Sequence, residues 1–130
     1  MKNSQVIEKL NRINRFMQRE VENNKAFTNV QAKFKLRKNF KALQSVYVLY
    51  EECLKDIIEK YNIESNNGIF EIKEDTPHAK EIQKDINDLM NAESKVDIEK
   101  ISINDFSEDC LLGDMELLDF MTIEEAAVND

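Results

Sequence analysis

The chain has 130 residues, with 18 Lys and Arg against 26 Asp and Glu, 42% apolar residues, 2 Gly, 1 Pro, 2 Cys and no Trp. That length supports one domain, and so few turn-forming glycines and prolines argue against a sandwich, a barrel, a Rossmann fold or a phosphate-cradling loop. No apolar run approaches the ~20 residues of a membrane span, and the first residues lack the apolar core of a signal peptide, so an unexported chain without a membrane role is expected.

The first helix is predicted over residues 4–22, where Val6, Leu10, Ile13, Met17 and Val21 recur at spacings of four, three, four and four and so share one stripe. Asn23, Asn24 and Lys25 make a break, because paired asparagines tolerate the conformations that end helices. In the second helix Leu36, Phe40, Leu43, Tyr47, Tyr50, Leu54, Ile57 and Tyr61 advance by alternating fours and threes. Val46, Leu49 and Cys53 widen this stripe, which implies packing on two sides or a homodimer interface. The short Asn-rich connection favours an antiparallel hairpin between the two helices.

Beyond Asn66, Asn67 and Gly68 the pattern changes to a short β-like run over residues 69–72. Thr76 and Pro77 have the form of an N-cap followed by proline at the first helical position. The third helix that follows carries Ala79, Ile82, Ile86, Leu89 and Met90 on one stripe. Val96, Ile98, Ile101 and Ile103 are β-branched and mostly alternate, so residues 95–103 read as a strand with a slip at Glu99 and Lys100. Its simplest partner is the 69–72 run. Asp114 is the expected N-cap of a short terminal helix bearing Met115, Leu117, Leu118, Phe120 and Met121. The fold class is therefore mainly α with a small β ribbon: a long antiparallel helical hairpin, a third helix, a two-stranded ribbon and a C-terminal helix. Residues 1–130 form a single domain, divided into a basic-to-mixed hairpin (1–65), an acidic part (66–123) and an acidic tail (124–130).

Charge is distributed unevenly. Residues 1–50 carry 11 Lys and Arg and 3 Asp and Glu, a net of +8, while residues 51–130 carry 7 and 23, a net of −16. Either the halves face each other in the fold, or each faces a different partner.

No constellation for a reaction is legible. His78 is the only histidine and sits at a helix start; it lacks the Cys or His companions of a zinc site and any specified nucleophile. The acidic stretch 85–97 lacks the order and the sharp-turn glycine of a calcium loop. Cys53 is expected in the core, and with Cys110 it makes neither a disulfide framework nor a ligand spacing, as suits a reducing cytoplasm. No catalytic residue, metal or cofactor is expected. Lys33, Lys35, Arg37, Lys38 and Lys41, interleaved with Phe34 and Phe40, form the one concentrated basic segment. Phosphate contact with base stacking would use such residues, but Phe40 belongs to the helical stripe and the cations fan round the helix. Pairing with an acidic surface, of this chain or of a partner, is the favoured reading. Conversely, the acidic half could imitate nucleic acid before a basic groove, although interspersed lysines blunt that mimicry.

Several stretches resemble a family of short, uncharacterised proteins encoded by bacteriophages and prophages of Gram-positive bacteria. They are Val-Ile-Glu-Lys-Leu-Asn-Arg-Ile at residues 6–13, the helix closing in Glu59, Lys60 and Tyr61, the amphipathic 82–90 segment, the 95–106 stretch ending in Asn104, Asp105 and Phe106, and Met-Glu-Leu-Leu-Asp-Phe-Met at 115–121. The similarity spans nearly the whole chain and contains no chemical motif. It implies a phage setting but no activity, cofactor or catalytic residue. In that setting the favoured reading is a non-catalytic protein-binding role, as a virion or assembly accessory in the host cytoplasm or the particle; an inhibitor of a host nuclease or defence protein acting through the acidic surface is the rival, and nucleic-acid binding through the basic 33–41 segment a third reading. The expected partner-binding residues are Lys33, Lys35, Arg37, Lys38, Lys41, Leu117, Phe120 and Met121. The last three either close the core or dock a partner, and core closure is favoured.

Overall fold

A computed structural model describes residues 1–23, 25–63, 65–66, 69–70 and 77–124. Helix α1 spans Asn3–Asn23 and α2 spans Val30–Lys60. They form the expected antiparallel hairpin: Asn14 borders the stretch of α2 around Phe40, whereas Ile7 lies level with Tyr47 and the turns beyond it. Asn29 starts α2, its side-chain oxygen accepting the Ala32 N–H at 2.8 Å. Asn62, at φ 51°, ends it. The Ile63 N–H reaches the Ile58 carbonyl and the Asn62 N–H that of Glu59, the paired bonds of a Schellman cap with asparagine in the left-handed position.

Strands β1 (Ser65–Asn66) and β2 (Ile69–Phe70) pair antiparallel with each other. Helix α3 covers Ala79–Asn91, β3 is Ile101–Ser102, α4 is Leu112–Leu117 and β4 is Thr122–Ile123. Strands β3 and β4 run parallel, with Ile101 opposite Thr122 and Ser102 opposite Ile123.

The core follows the helical stripes and adds what they miss. Val6, Leu10, Ile13 and Phe16 of α1 bury against Ala32, Leu36 and Leu43 of α2, and Ile101, Leu118 and Met121 close the other side. Phe16, Phe27 and Phe106 form an aromatic cluster with ring centroids 5.0–6.4 Å apart. Phe27 and Phe106 also meet as an isolated antiparallel bridge. The Thr28 N–H donates to the Asp105 carbonyl and the Ser107 N–H to that of Ala26, each at 2.8 Å, so the turn between α1 and α2 is held by the chain near residue 106.

Several local expectations are corrected. Residues 94–100 carry no regular strand, and β3 pairs with β4 instead of the 69–72 run, whose last two residues lie outside the described set. The side chain of Asn39 takes the place of a neighbouring strand: its oxygen accepts the Glu99 N–H at 2.8 Å while its amide donates to the Glu99 carbonyl at 2.9 Å. Helix α3 begins two residues after Pro77, with His78 at φ 62° and without a side-chain cap; Thr76 lies outside the described residues. Asp114 falls inside the first turn of α4, which starts from Leu111. Cys53, expected in the core, is exposed, as is its neighbour Leu49, because nothing among the described residues covers that flank of α2. The break residue Asn24 and the tail 125–130 also lie outside the described residues.

Candidate functional site

Among the described residues the oppositely charged halves meet in ion pairs. Arg19 pairs with Asp114 at 2.6 Å, Lys38 with Glu99 at 2.7 Å and Arg12 with Asp119 at 3.3 Å. Arg12 also donates to the Glu116 carbonyl in the last turn of α4, and Lys100 to the Phe120 carbonyl at 2.9 Å. These exposed pairs contribute little individually, but they fix which acidic groups face which cations.

The basic segment is thereby divided. Lys38 reaches Glu99 and lies 5.5 Å from the Phe34 ring, and Lys35 donates to the Lys100 carbonyl at 3.2 Å. Lys33 is half-buried, while Arg37 and Lys41 point to solvent on another side of α2. The five cations do not converge on one track. At the C-terminal end Leu117 and Phe120 are half-buried and packed on the core, with the Lys9 ammonium 5.5 Å from the Phe120 ring. Met121 is fully buried and receives the Asn39 amide on its sulfur at 3.3 Å. Of the two places open to it, core or docking surface, Met121 takes the favoured one: Leu118 and Met121 close the core, and the side chains beside them lie against it.

His78 is exposed, its ring 6.1 Å from that of Tyr61. Tyr61 instead donates its hydroxyl to Asp85 at 2.9 Å, and Lys60 approaches the same carboxylate at 3.4 Å. The Tyr61 hydrogen bond, helped by the Lys60 charge, holds the Asp85 carboxyl below its ordinary range. Cys110 is half-buried beside Asp114, and burial first, then that carboxylate, pushes its thiol up. Among the described residues no three His, Cys, Asp or Glu side chains gather as metal ligands.

Among the described residues, an extended concave surface lies along the helical hairpin. Two adjoining hollows of about 190 and 340 Å³ share Ile7 and Tyr47 and form a trough open to solvent. Its floor is Leu10 and Phe40 at one end and Tyr50, Leu54 and Ile58 at the other, all but Leu10 half-buried. Asn11, Asn14 and Gln44 edge the first part, Glu51 and Lys55 the second. The rings of Tyr47 and Tyr50 stack at 5.8 Å. Burial, followed by Tyr47 and Glu51, pushes the Tyr50 phenol above its ordinary value, so its hydroxyl stays protonated and available as a donor. From Phe40 to Ile58 the trough follows α2 for about 27 Å, at 1.5 Å per residue.

The heptad-like run in α2 contained this surface, since Phe40, Tyr47, Tyr50 and Leu54 are all members of it. What periodicity could not show is that α1 covers only one side of the run. No helix among the described residues is long and apolar enough to cross a membrane. Compared with protein-family models, with curated proteins and with solved structures, the chain gives no match.

Proposed function

We propose that this chain is a non-catalytic protein-binding module that receives an amphipathic helix of another protein in the trough between α1 and α2. The observation that carries the reading is the trough itself: half-buried Phe40, Tyr47, Tyr50, Leu54 and Ile58 in a line, open to solvent, with amide and charged groups at the edge. Helix-in-groove recognition uses this combination of apolar anchor positions and polar rim. In the phage setting that the sequence resemblance implies, the module serves as a virion or assembly accessory, acting in the host cytoplasm or carried in the particle.

The internal ion pairs weigh against the two rival readings. Glu99, Asp114 and Asp119 are engaged by cations of the same chain, which weakens nucleic-acid mimicry by the acidic half. Lys35 and Lys38 are likewise engaged, which weakens phosphate binding by the 33–41 segment. The test is affinity capture from infected or lysogenic cells with the intact chain and with Tyr47→Glu/Leu54→Arg. The proposal requires a phage structural protein retained by the first and lost by the second. Equal retention by both, or salt-sensitive binding of DNA or RNA in place of protein, overturns it.

A further inference from the structure

The outward face of α2, turned away from the helices that pack on it, is a separate surface. Val30, Phe34 and Val48 are 79%, 61% and 46% exposed. Together with Arg37, Lys41 and Glu52 they fall on one line of the helix, at steps of four, three, four, seven and four, the spacing of a helix-pairing seam. Charge along this helix is polarised. Residues 33–41 hold Lys33, Lys35, Arg37, Lys38 and Lys41 and no acid, whereas residues 51–59 hold Glu51, Glu52, Asp56 and Glu59 and one cation, Lys55. The side chains of Arg37, Lys41, Glu52 and Glu59 take part in no ion pair among the described residues. The two blocks are centred roughly 27 Å apart along the axis, well beyond the ~8 Å over which exposed charges attract at physiological salt. They cannot neutralise one another within one helix.

We infer that this face pairs with the same face of a second copy of the chain, the two α2 helices lying antiparallel. A two-fold axis between residues 44 and 45 sets Arg37 of each copy opposite Glu52 of the other, and each basic block against the partner's acidic block, so the complementarity is satisfied twice. The same arrangement covers the exposed Phe34 and Val48 side chains. A parallel pair would set like charges together. The trough occupies an adjacent side of α2 and remains open, so the dimer would present two such troughs.

Sedimentation equilibrium of the full chain at low and high salt tests the pairing. The expected result is a dimer at low salt whose dissociation constant rises at least tenfold at high salt. Arg37→Glu/Lys41→Glu alone and Glu52→Lys/Glu59→Lys alone should each be monomeric, and their equimolar mixture should recover a heterodimer, because each reversed block then faces its opposite. These side chains are solvent-exposed, and far-UV circular dichroism confirms that the variants keep their helices. Tyr47→Glu, in the trough, should leave the dimer intact. A monomeric parent chain at low salt, a dimer indifferent to either reversal, or a mixture that fails to restore pairing overturns the inference.

Discussion

The Asn39 side chain is bonded to the backbone of Glu99 on both of its polar groups, at 2.8 Å to the N–H and 2.9 Å to the carbonyl. Sixty residues separate the two in sequence. This one amide anchors an irregular segment to the N-terminal third of α2, and its nitrogen also reaches the Met121 sulfur. Replacing it with leucine keeps the branched shape but leaves two backbone groups without partners. Asn39→Leu should therefore lower unfolding stability by about 2–4 kcal/mol, read by urea denaturation. A change under half a kilocalorie would show that water or another side chain supplies the bonds.

Closure of the core by the C-terminal segment gives a second, contrasting pair. Met121 is fully buried and Leu112 is 72% exposed. Truncating the first to alanine should cost about 2–5 kcal/mol, whereas Leu112→Ala should stay within about half a kcal/mol of the parent. Comparable losses at both positions would contradict the placement of these two side chains.

The contact between α2 and α3 should weaken in acid. Asp85 titrates below its ordinary value because Tyr61 donates to it, with Lys60 adding its charge. A folded pKa lower than the unfolded one means that the native state binds fewer protons. Its stabilisation is then present above the ordinary carboxylate value of about 3.9 and is lost as pH falls through the folded pKa. Tyr61→Phe removes the largest cause. The Asp85 midpoint, followed by carboxyl-carbon NMR, should move up towards the ordinary value; an unchanged midpoint would remove Tyr61 from the explanation.

The cysteines should differ in reactivity. Cys53 is exposed on α2, while Cys110 is half-buried with its thiol pushed up by burial and by Asp114. Brief alkylation at neutral pH, read by peptide mass spectrometry, should label Cys53 first. Preferential labelling of Cys110 would contradict both environments.

Much of this architecture is legible in the sequence because repeating apolar positions dictate which helix faces meet. Val6, Leu10 and Ile13 bury as their spacing requires, and Leu36 and Leu43 do the same on α2. Asn39 escaped that reading, since a periodicity built on apolar residues cannot anticipate an amide whose burial depends on a backbone distant in sequence. Phe27 and Phe106 escaped it too: both lie in connections, where no period exists, yet their rings pack against each other. Cys53 is exposed for the opposite reason: it adjoins the buried stripe on the helical wheel, but no element among the described residues lies over that flank. The trough was half visible, its α2 residues being part of the predicted run. That they remain partly open depends on where α1 and α3 stop covering them.

Occupancy of the α1/α2 trough by a helix of another protein can be read by site-directed photo-crosslinking. With a photoreactive phenylalanine analogue at position 47 or 54, and at the exposed position 116 as the control, the trough positions should give one discrete adduct in infected or lysogenic cells. Its crosslinked peptide should carry apolar residues at helical spacing. Adducts equally abundant from position 116, or none from 47 and 54, would show that no helix is bound in the trough.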